Sequence, residues 1–200
     1  MARPPAARIK LLDAAVALIR AKGYAATTVD DLCAAAGVTK GAFFHHFASK
    51  DDLAVAAAKH WSEVTGALFA SAPYHQPADP VERILAYVDF RKELLRGEIS
   101  EFTCLAGTML QEVHATHDNI RKACAASITG HAATLEADIA AAMAQHGLEG
   151  TFTPRSLALH TQAVLQGAFI LAKAEGGPAI AAESVDHLKR YITTLFKSEK

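Results

Sequence analysis

The sequence predicts an all-α protein, and three observations predict it. Apolar residues recur at steps of three and four along almost the whole chain of 200 residues. No stretch carries the alternation of a half-buried strand, and there is no internal repeat. Glycine, proline, serine, threonine and aspartate stand where helices would start and stop. With 51% hydrophobic and 20% charged residues the composition is that of a folded protein, long enough for one or two domains with a real core.

Ile9, Leu12, Val16 and Ile19 define the apolar face of a first helix over 7–22, which Gly23 is placed to end. Thr27 and Thr28 offer an N-cap to a second, carrying Val29, Leu32 and Ala36, with Asp30 and Asp31 in its first turn. Gly37 interrupts it. After Val38 and Thr39 a short third helix runs over 40–47, and Ser49 caps a fourth over 50–70. The polar stretch 71–80 holds Pro73, Pro77 and Pro80 and reads as a loop. Five more helices are predicted over 81–96, 101–114, 116–146 (with Thr116 as its N-cap), 154–175 and 182–197. The Gly-Gly-Pro run at 176–178 separates the last two, and the last presents Val185, Leu188, Ile192 and Leu195 on one face.

Several function classes are disfavoured at once. The longest charge-free run in the C-terminal half, 156–172, has 17 residues and includes His160, Thr161, Gln162 and Gln166, too short and too polar for a membrane span. The first ten residues lack the apolar core of a signal peptide, so the expected compartment is the cytoplasm and no membrane is expected as a partner. Three cysteines, at 33, 104 and 124, are odd in number and lack CxxC spacing, which argues against a disulfide framework or a zinc site. Ten histidines are present, with His114 and His117 on one helix face, but no carboxylate–histidine cluster of metal-binding spacing accompanies them. No GxSxG, HExxH or phosphate-cradling glycine loop occurs, so neither an enzyme nor a cofactor is expected. The net charge of −1 is uninformative, although residues 1–60 hold eight Lys/Arg against five Asp/Glu and the rest of the chain twelve against sixteen.

The informative stretch is TTVDDLCAAAGVTKGAFFHHFASKDDL, residues 27–53. It spells a helix of about eight residues, a tight glycine turn and a second helix of similar length, the arrangement of a helix-turn-helix whose second helix enters a DNA major groove. Gly37 stands where the turn asks for positive φ. Val29, Leu32, Val38, Phe43 and Phe47 would form a small core against Ile9, Leu12 and Val16. Left over for solvent or a ligand are Thr39, Lys40, Gly41, Phe44, His45, His46 and Lys50.

This stretch resembles the N-terminal signature of the TetR family of transcriptional repressors. The matching positions are Thr28, Leu32-Cys33, Ala36-Gly37-Val38, Thr39, Gly41, Phe43-Phe44, His46-Phe47 and Lys50. The resemblance implies that Thr28, Thr39, Lys40, Gly41, Phe44, His45, His46 and Lys50 face double-stranded DNA, with Thr28, His46 and Lys50 on phosphates and Lys40, Gly41 and His45 nearer the bases. Phe44 departs from the family's usual tyrosine and cannot donate a hydroxyl to phosphate, a loss of about 1 kcal/mol.

The resemblance extends more loosely over the remaining chain. It implies an N-terminal helix-turn-helix domain, residues 1–50, and a helical effector-binding and dimerisation domain, residues 51–200. A homodimer would place its reading heads on a palindromic operator, pairing through the helices at 154–175 and 182–197, where Ala163, Gly167 and Ala174 allow close approach. A small-molecule effector would meet Trp61, Phe69, Tyr87, Phe90, Phe102, Cys104, Met109 and Phe169. The segments CLAGTMLQEV and GAFILAK are similar to those of relatives that sense electrophiles or oxidants, which makes Cys104 a candidate sensing thiol and Lys173 its candidate partner. Cys33 and Cys124 fall on core faces instead. The rival readings are a small-molecule or redox-sensing helical protein without operator function, and a helical enzyme. The exposed cations and histidines at 40–50 favour the DNA reader.

Overall fold

The computed structural model describes residues 6–197 and is helical throughout: α1 Ala6–Lys22, α2 Val29–Ala36, α3 Lys40–His46, α4 Lys50–Ala70, α5 Pro80–Glu93, α6 Ile99–Phe102, α7 Leu105–Val113, α8 Asp118–Ala133, α9 Glu136–His146, α10 Pro154–Glu175 and α11 Ala179–Leu195. Capping decides where most of them begin. Thr28, Thr39, Asp79 and Thr153 each accept a hydrogen bond from the backbone N–H three residues on, and Ser49 does the same for Asp52 at the start of α4. Pro80 and Pro154 occupy first helical positions, where a missing N–H costs nothing.

Two predicted helices are each split. The segment expected as one helix over 101–114 breaks at Thr103–Cys104: Cys104 adopts φ −86°, ψ 124° and caps α7, while the Thr103 carbonyl accepts from Arg20 Nε at 2.7 Å. The apolar rhythm runs straight across this break, so periodicity could not reveal it. The segment expected over 116–146 divides at Thr134–Leu135, where the N–H groups of both residues turn back to carbonyls three positions earlier, at 3.2 and 3.0 Å. No glycine or proline marks it. Thr116 is not the cap of α8; the carbonyl of His117 receives the first helical bond, from the Arg121 N–H, and Thr116 Oγ1 pairs with His117 Nδ1 at 2.8 Å. The 71–80 loop contains a 3-10 turn, Pro73–His75, with Tyr74 buried.

The chain divides into two compact units. The first comprises the described residues up to Gly66 together with Thr103–Ile128. Leu11, Leu12, Leu32, Phe43, Leu53 and Met109 fill its core at 2% exposure or less. Ile9, Val16, Val29 and Val38 pack at the margin of that core, so α1 buries the face of α2 and α3 as their spacing requires. The second unit comprises Ala67–Phe102 and the described residues from Thr129 onward. Here α5 packs on α9 and α11, and α10 on α9 and α11, around Tyr87, Ile139, Leu165 and Ile192. Ion pairs border this packing: Arg83 with Asp138 at 2.8 Å, Lys92 with Asp186 at 2.6 Å and Lys189 with Asp89 at 2.7 Å.

Candidate nucleic-acid interface

The α2–α3 unit is built by two caps and one turn. Thr28 Oγ1 accepts from Asp31 N at 3.1 Å, and the Asp31 carboxylate accepts in return from Thr28 N at 2.9 Å. Lys22 Nζ sits 2.7 Å from the same carboxylate; with the Thr28 bonds it holds the Asp31 carboxyl well below the usual range. Gly37 closes α2 in the left-handed region, φ 64° and ψ 40°. An added Cβ there would meet nothing within 4 Å, so backbone strain alone selects glycine. Thr39 then caps α3 by accepting from Ala42 N at 3.2 Å.

Phe43 and Phe47 point inward from α3, and their neighbours point out. Thr39, Lys40, Gly41, Phe44 and His45 are exposed, and His46 is half-buried with its ring 4.9 Å from that of His45. Phe44 is 55% exposed, edge-on to Phe43. Lys40 Nζ pairs with Asp30 Oδ1 at 2.8 Å, both side chains standing mostly in solvent. Gly41 is helical, and a Cβ there would make only an ordinary contact of 3.7 Å with Thr39 Oγ1. Neither fold nor space requires glycine at that position.

Lys50 is placed differently from the other cations. Its ammonium donates to the carbonyls of Tyr24 and Thr27, both at 3.1 Å, and lies 4.2 Å from the Tyr24 ring centroid. One of its three N–H groups remains for an outside acceptor. Across the same turn Glu112, on α7, accepts from Tyr24 N at 2.9 Å and Ala25 N at 2.8 Å. The Tyr24 hydroxyl donates to Asp51; burial, then that carboxylate, raise the phenol's pKa. The His117 ring meets the Tyr24 ring edge-on at 5.7 Å. The turn entering α2 is thus held by an anion on its N–H side and a cation on its carbonyl side. Glu112 and Tyr24 were missed from sequence because neither belongs to a motif; an acidic residue 88 positions away from its partner leaves no local signal.

The candidate effector residues fall into two groups. Trp61, Cys104 and Met109 belong to the first unit. Trp61 lies under the Arg20 guanidinium at 4.7 Å, Met109 is fully buried, and the half-buried Cys104 Sγ accepts from Gly107 N at 3.4 Å. Thr103 beside it has a buried hydroxyl with no partner among the described residues. Phe69, Tyr87, Phe90, Phe102 and Phe169 belong to the second unit, where Phe69 touches the rings of Tyr87 and Phe90 at 5.9 and 5.5 Å and Phe102 pairs with Phe169 at 6.4 Å. Lys173 stands in the last turn of α10, also in the second unit. Cys33 and Cys124 are buried, and burial pushes the Cys124 thiol up to about 12. Among the described residues no three His, Cys, Asp or Glu side chains converge as a metal site would need, and no helix is long and apolar enough to cross a membrane.

Comparison with known proteins places this geometry. The family model for bacterial regulatory proteins of the tetR family matches residues 11–57, which contain α2, Gly37 and α3, and the model for the tetracyclin repressor-like C-terminal domain matches residues 80–188. The chain belongs to the TetR family. Among curated relatives, transcriptional regulator AcuR of Cereibacter sphaeroides is 28% identical over 113 residues, 56% of this chain and 52% of AcuR. The repressor DhaR of Mycobacterium sp. GP1 is 29% identical over 121 residues, 60% of this chain and 59% of DhaR. The match to the repressor KstR2 of Rhodococcus jostii reaches 46% identity but spans 46 residues, 23% of this chain and 22% of KstR2. The chain therefore spans about half or less of the first curated relatives it matches. Solved structures cover more. The TetR regulatory protein of Rhodobacter sphaeroides superposes with a TM-score of 0.82 at 25% identity, over 94% of this chain and 99% of that one. A TetR regulator of Chloroflexus aurantiacus gives 0.81 at 27% identity, over 94% of each.

Proposed function

We propose that this TetR-family protein is a DNA-binding transcriptional repressor, acting as a homodimer on a palindromic operator in the cytoplasm and released by a small-molecule effector or by modification of Cys104. Residues 1–50 read the DNA and residues 51–200 carry effector binding and dimerisation; no catalysis and no cofactor enter this reading. One observation carries it: the capped α2–Gly37–α3 unit turns Thr39, Lys40, Gly41, Phe44 and His45 outward while Phe43 and Phe47 anchor the helix from inside. Gly41 adds to it. A glycine inside a helix costs about 0.5–1 kcal/mol against alanine, and among the described residues no neighbour at Gly41 would exclude a Cβ; a bare backbone suits close approach of a base edge or phosphate. Thr28 and His46 flank this face, and Lys50 keeps one donor for a phosphate. In support of dimerisation, α10 and α11 leave Ile170, Leu171 and Tyr191 nearly half exposed, and a Cβ on Gly167 would meet open space.

Release follows if effector binding or Cys104 modification favours a dimer whose heads no longer match successive major grooves, about 34–36 Å apart. The test is fluorescence anisotropy on the DNA immediately upstream of the protein's own gene and on sites chosen by random selection, with salt and a thiol-reactive electrophile titrated in turn. Tight, salt-sensitive binding supports the repressor, and its collapse with the electrophile in the native protein but not in Cys104→Ser supports the thiol route. Selection that enriches no sequence would overturn the reading.

A further inference from the structure

We propose that Arg91 is the anchor for the carboxylate of a small organic acid, with the acid's apolar body lying against the rings of Phe69 and Phe169. The inference rests on the effector part of the proposed function and names the chemical class of that effector.

Helix α5 carries three basic residues, Arg83, Arg91 and Lys92. Arg83 is matched by Asp138 at 2.8 Å and also donates to the carbonyls of Pro77 and Ala78. Lys92 is matched by Asp186 at 2.6 Å. Arg91, between them in sequence, reaches no carboxylate among the described residues. Its guanidinium carbon lies 5.1 Å from the Phe69 ring centroid and 5.8 Å from that of Phe169, and its only hydrogen-bond partner among those residues is His131 Nε2, 3.4 Å from Nη1. The Nε–Nη2 edge, which grips a carboxylate with two parallel bonds, is unused there.

The polar neighbours do not supply the missing charge. The Tyr87 hydroxyl lies 2.9 Å from His131 Nε2, and Gln162 Nε2 donates to that hydroxyl at 3.1 Å. Arg91 can only donate, so His131 Nε2 is the acceptor toward it; Tyr87 then donates to the same nitrogen while accepting from Gln162, and the ring is neutral. Burial, then the Arg91 charge, push the His131 pKa down to about 4, in accord with that direction. Asp138, on the neighbouring helix α9, is already held by Arg83. A half-buried guanidinium set among aromatic faces, a neutral imidazole, a phenol and an amide is a cation without a counter-ion among the described residues. The aromatic setting decides the rest: Phe69 and Phe169 are buried and Phe90 half-buried around the guanidinium, apolar surroundings that suit the body of an organic acid better than a bare inorganic anion.

The test uses the full chain and a defined set of probes: straight-chain carboxylates from acetate to dodecanoate, benzoate, the matching alcohols, and inorganic phosphate. Binding is read by calorimetry and thermal shift, and DNA affinity is measured on the same samples. At least one carboxylate beyond acetate is expected to bind tenfold or more tightly than its alcohol, and Arg91→Met to lose that tenfold preference. Arg91→Lys keeps the charge but not the planar fork, so a loss of several-fold is expected, and it serves if the methionine variant fails to fold. The proposal is overturned if no probe acid binds, if alcohols bind as tightly as acids, if phosphate and acetate bind as tightly as the longer acids, or if the Arg91 variants keep full preference. Intact operator binding beside any of these results leaves the repressor reading standing. Acid binding by a chain that selects no DNA sequence would refute the repressor reading and keep this one.

Discussion

Replacing Glu112 by alanine should loosen the entrance to the DNA-reading unit, and its size can be worked out from two hydrogen bonds. The carboxylate accepts from Tyr24 N at 2.9 Å and from Ala25 N at 2.8 Å. A hydrogen bond to a charged group is worth about 1.5–3 kcal/mol net, and a buried donor left unmatched costs about 1–3 kcal/mol. Tyr24 is 3% exposed, so its N–H bears nearly all of that cost, whereas the exposed Ala25 N–H returns to water and contributes little. The sum is about 2–3 kcal/mol for Glu112→Ala and about half that for Glu112→Gln, which keeps one neutral acceptor. For a chain of this size each kcal/mol lowers Tm by roughly 2–4 °C, so the alanine variant should melt roughly 4–12 °C lower. Urea unfolding followed by circular dichroism gives the energy, and amide exchange gives the location: Tyr24 and Ala25 should lose protection before the rest of α1 and α2. Gly23 offers an independent check. Its φ is +89°, and a Cβ there would stand 2.7 Å from Glu112 Oε1, so Gly23→Ala should cost less in the Glu112→Ala background than in the native chain. If both Glu112 variants unfold within about 0.5 kcal/mol of the native protein, the clamp is a surface contact and the reasoning fails.

Three further outcomes are expected. The unfolded chain protonates His131 near pH 6.5 and the folded one only near 4, so the stability due to its neutral burial is complete above pH 6.5 and is lost as pH falls toward 4, by about 3 kcal/mol in all. His131→Gln should remove that slope from a plot of unfolding energy against pH, and an unchanged slope would assign it to other groups. Lys50→Ala should lower Tm, because two carbonyls lose their donor, and should flatten the salt dependence of DNA binding by about one unit of slope; a lower Tm with an unchanged slope would make Lys50 purely structural. A colorimetric thiol reagent should label Cys104 first in the native protein, with Cys33 and Cys124 reacting only on unfolding, and equal rates for all three would contradict the burial on which the assignment rests.

Local signals made the reading unit legible. Thr28, Gly37, Thr39 and Ser49 each act within three or four residues of their own position, through caps and one positive φ, and the structure uses all four as their residue types require. The apolar spacing of Ile9, Leu12, Leu32 and Phe43 likewise carried enough information to place the small core. What the sequence withheld depends on long-range partners or on breaks without breakers. The interruption at Thr103–Cys104 is stabilised by Arg20, on α1, and the one at Thr134–Leu135 by a change of hydrogen-bond register among ordinary helix formers. Tyr74 sits in a stretch rich in proline yet is buried against Phe69 and Tyr87, because a polar composition does not prevent one ring from turning inward. Arg91 carries no local sequence signal that sets it apart from Arg83 and Lys92 on the same helix. Only the positions of Asp138 and Asp186 show that its neighbours are matched while, among the described residues, it meets no carboxylate.

The charges around the reading unit argue against counting cations as a measure of DNA affinity. Of the basic residues near α2 and α3, Lys22 is bonded to Asp31, Lys40 to Asp30, and Lys50 to two carbonyls. A phosphate contact by Lys22 or Lys40 would therefore be an exchange of partners, and the net gain a difference between two pairings. For Lys40 the exchange is inexpensive, since an exposed pair contributes only about 0.2–1 kcal/mol and both of its side chains are largely in solvent. For Lys22 it is dearer, because Asp31 also serves the Thr28 capping box and would keep its charge beside the incoming backbone. Lys50 differs: two of its N–H groups hold the turn, and the third, without a hydrogen-bond partner among the described residues, would serve a phosphate with no exchange. The three lysines thus stand in distinct settings, one in an exposed ion pair, one bonded to a capping carboxylate and one bonded to two turn carbonyls. On the proposed DNA-binding reading, that division, more than the net charge of −1, should set how steeply binding responds to salt.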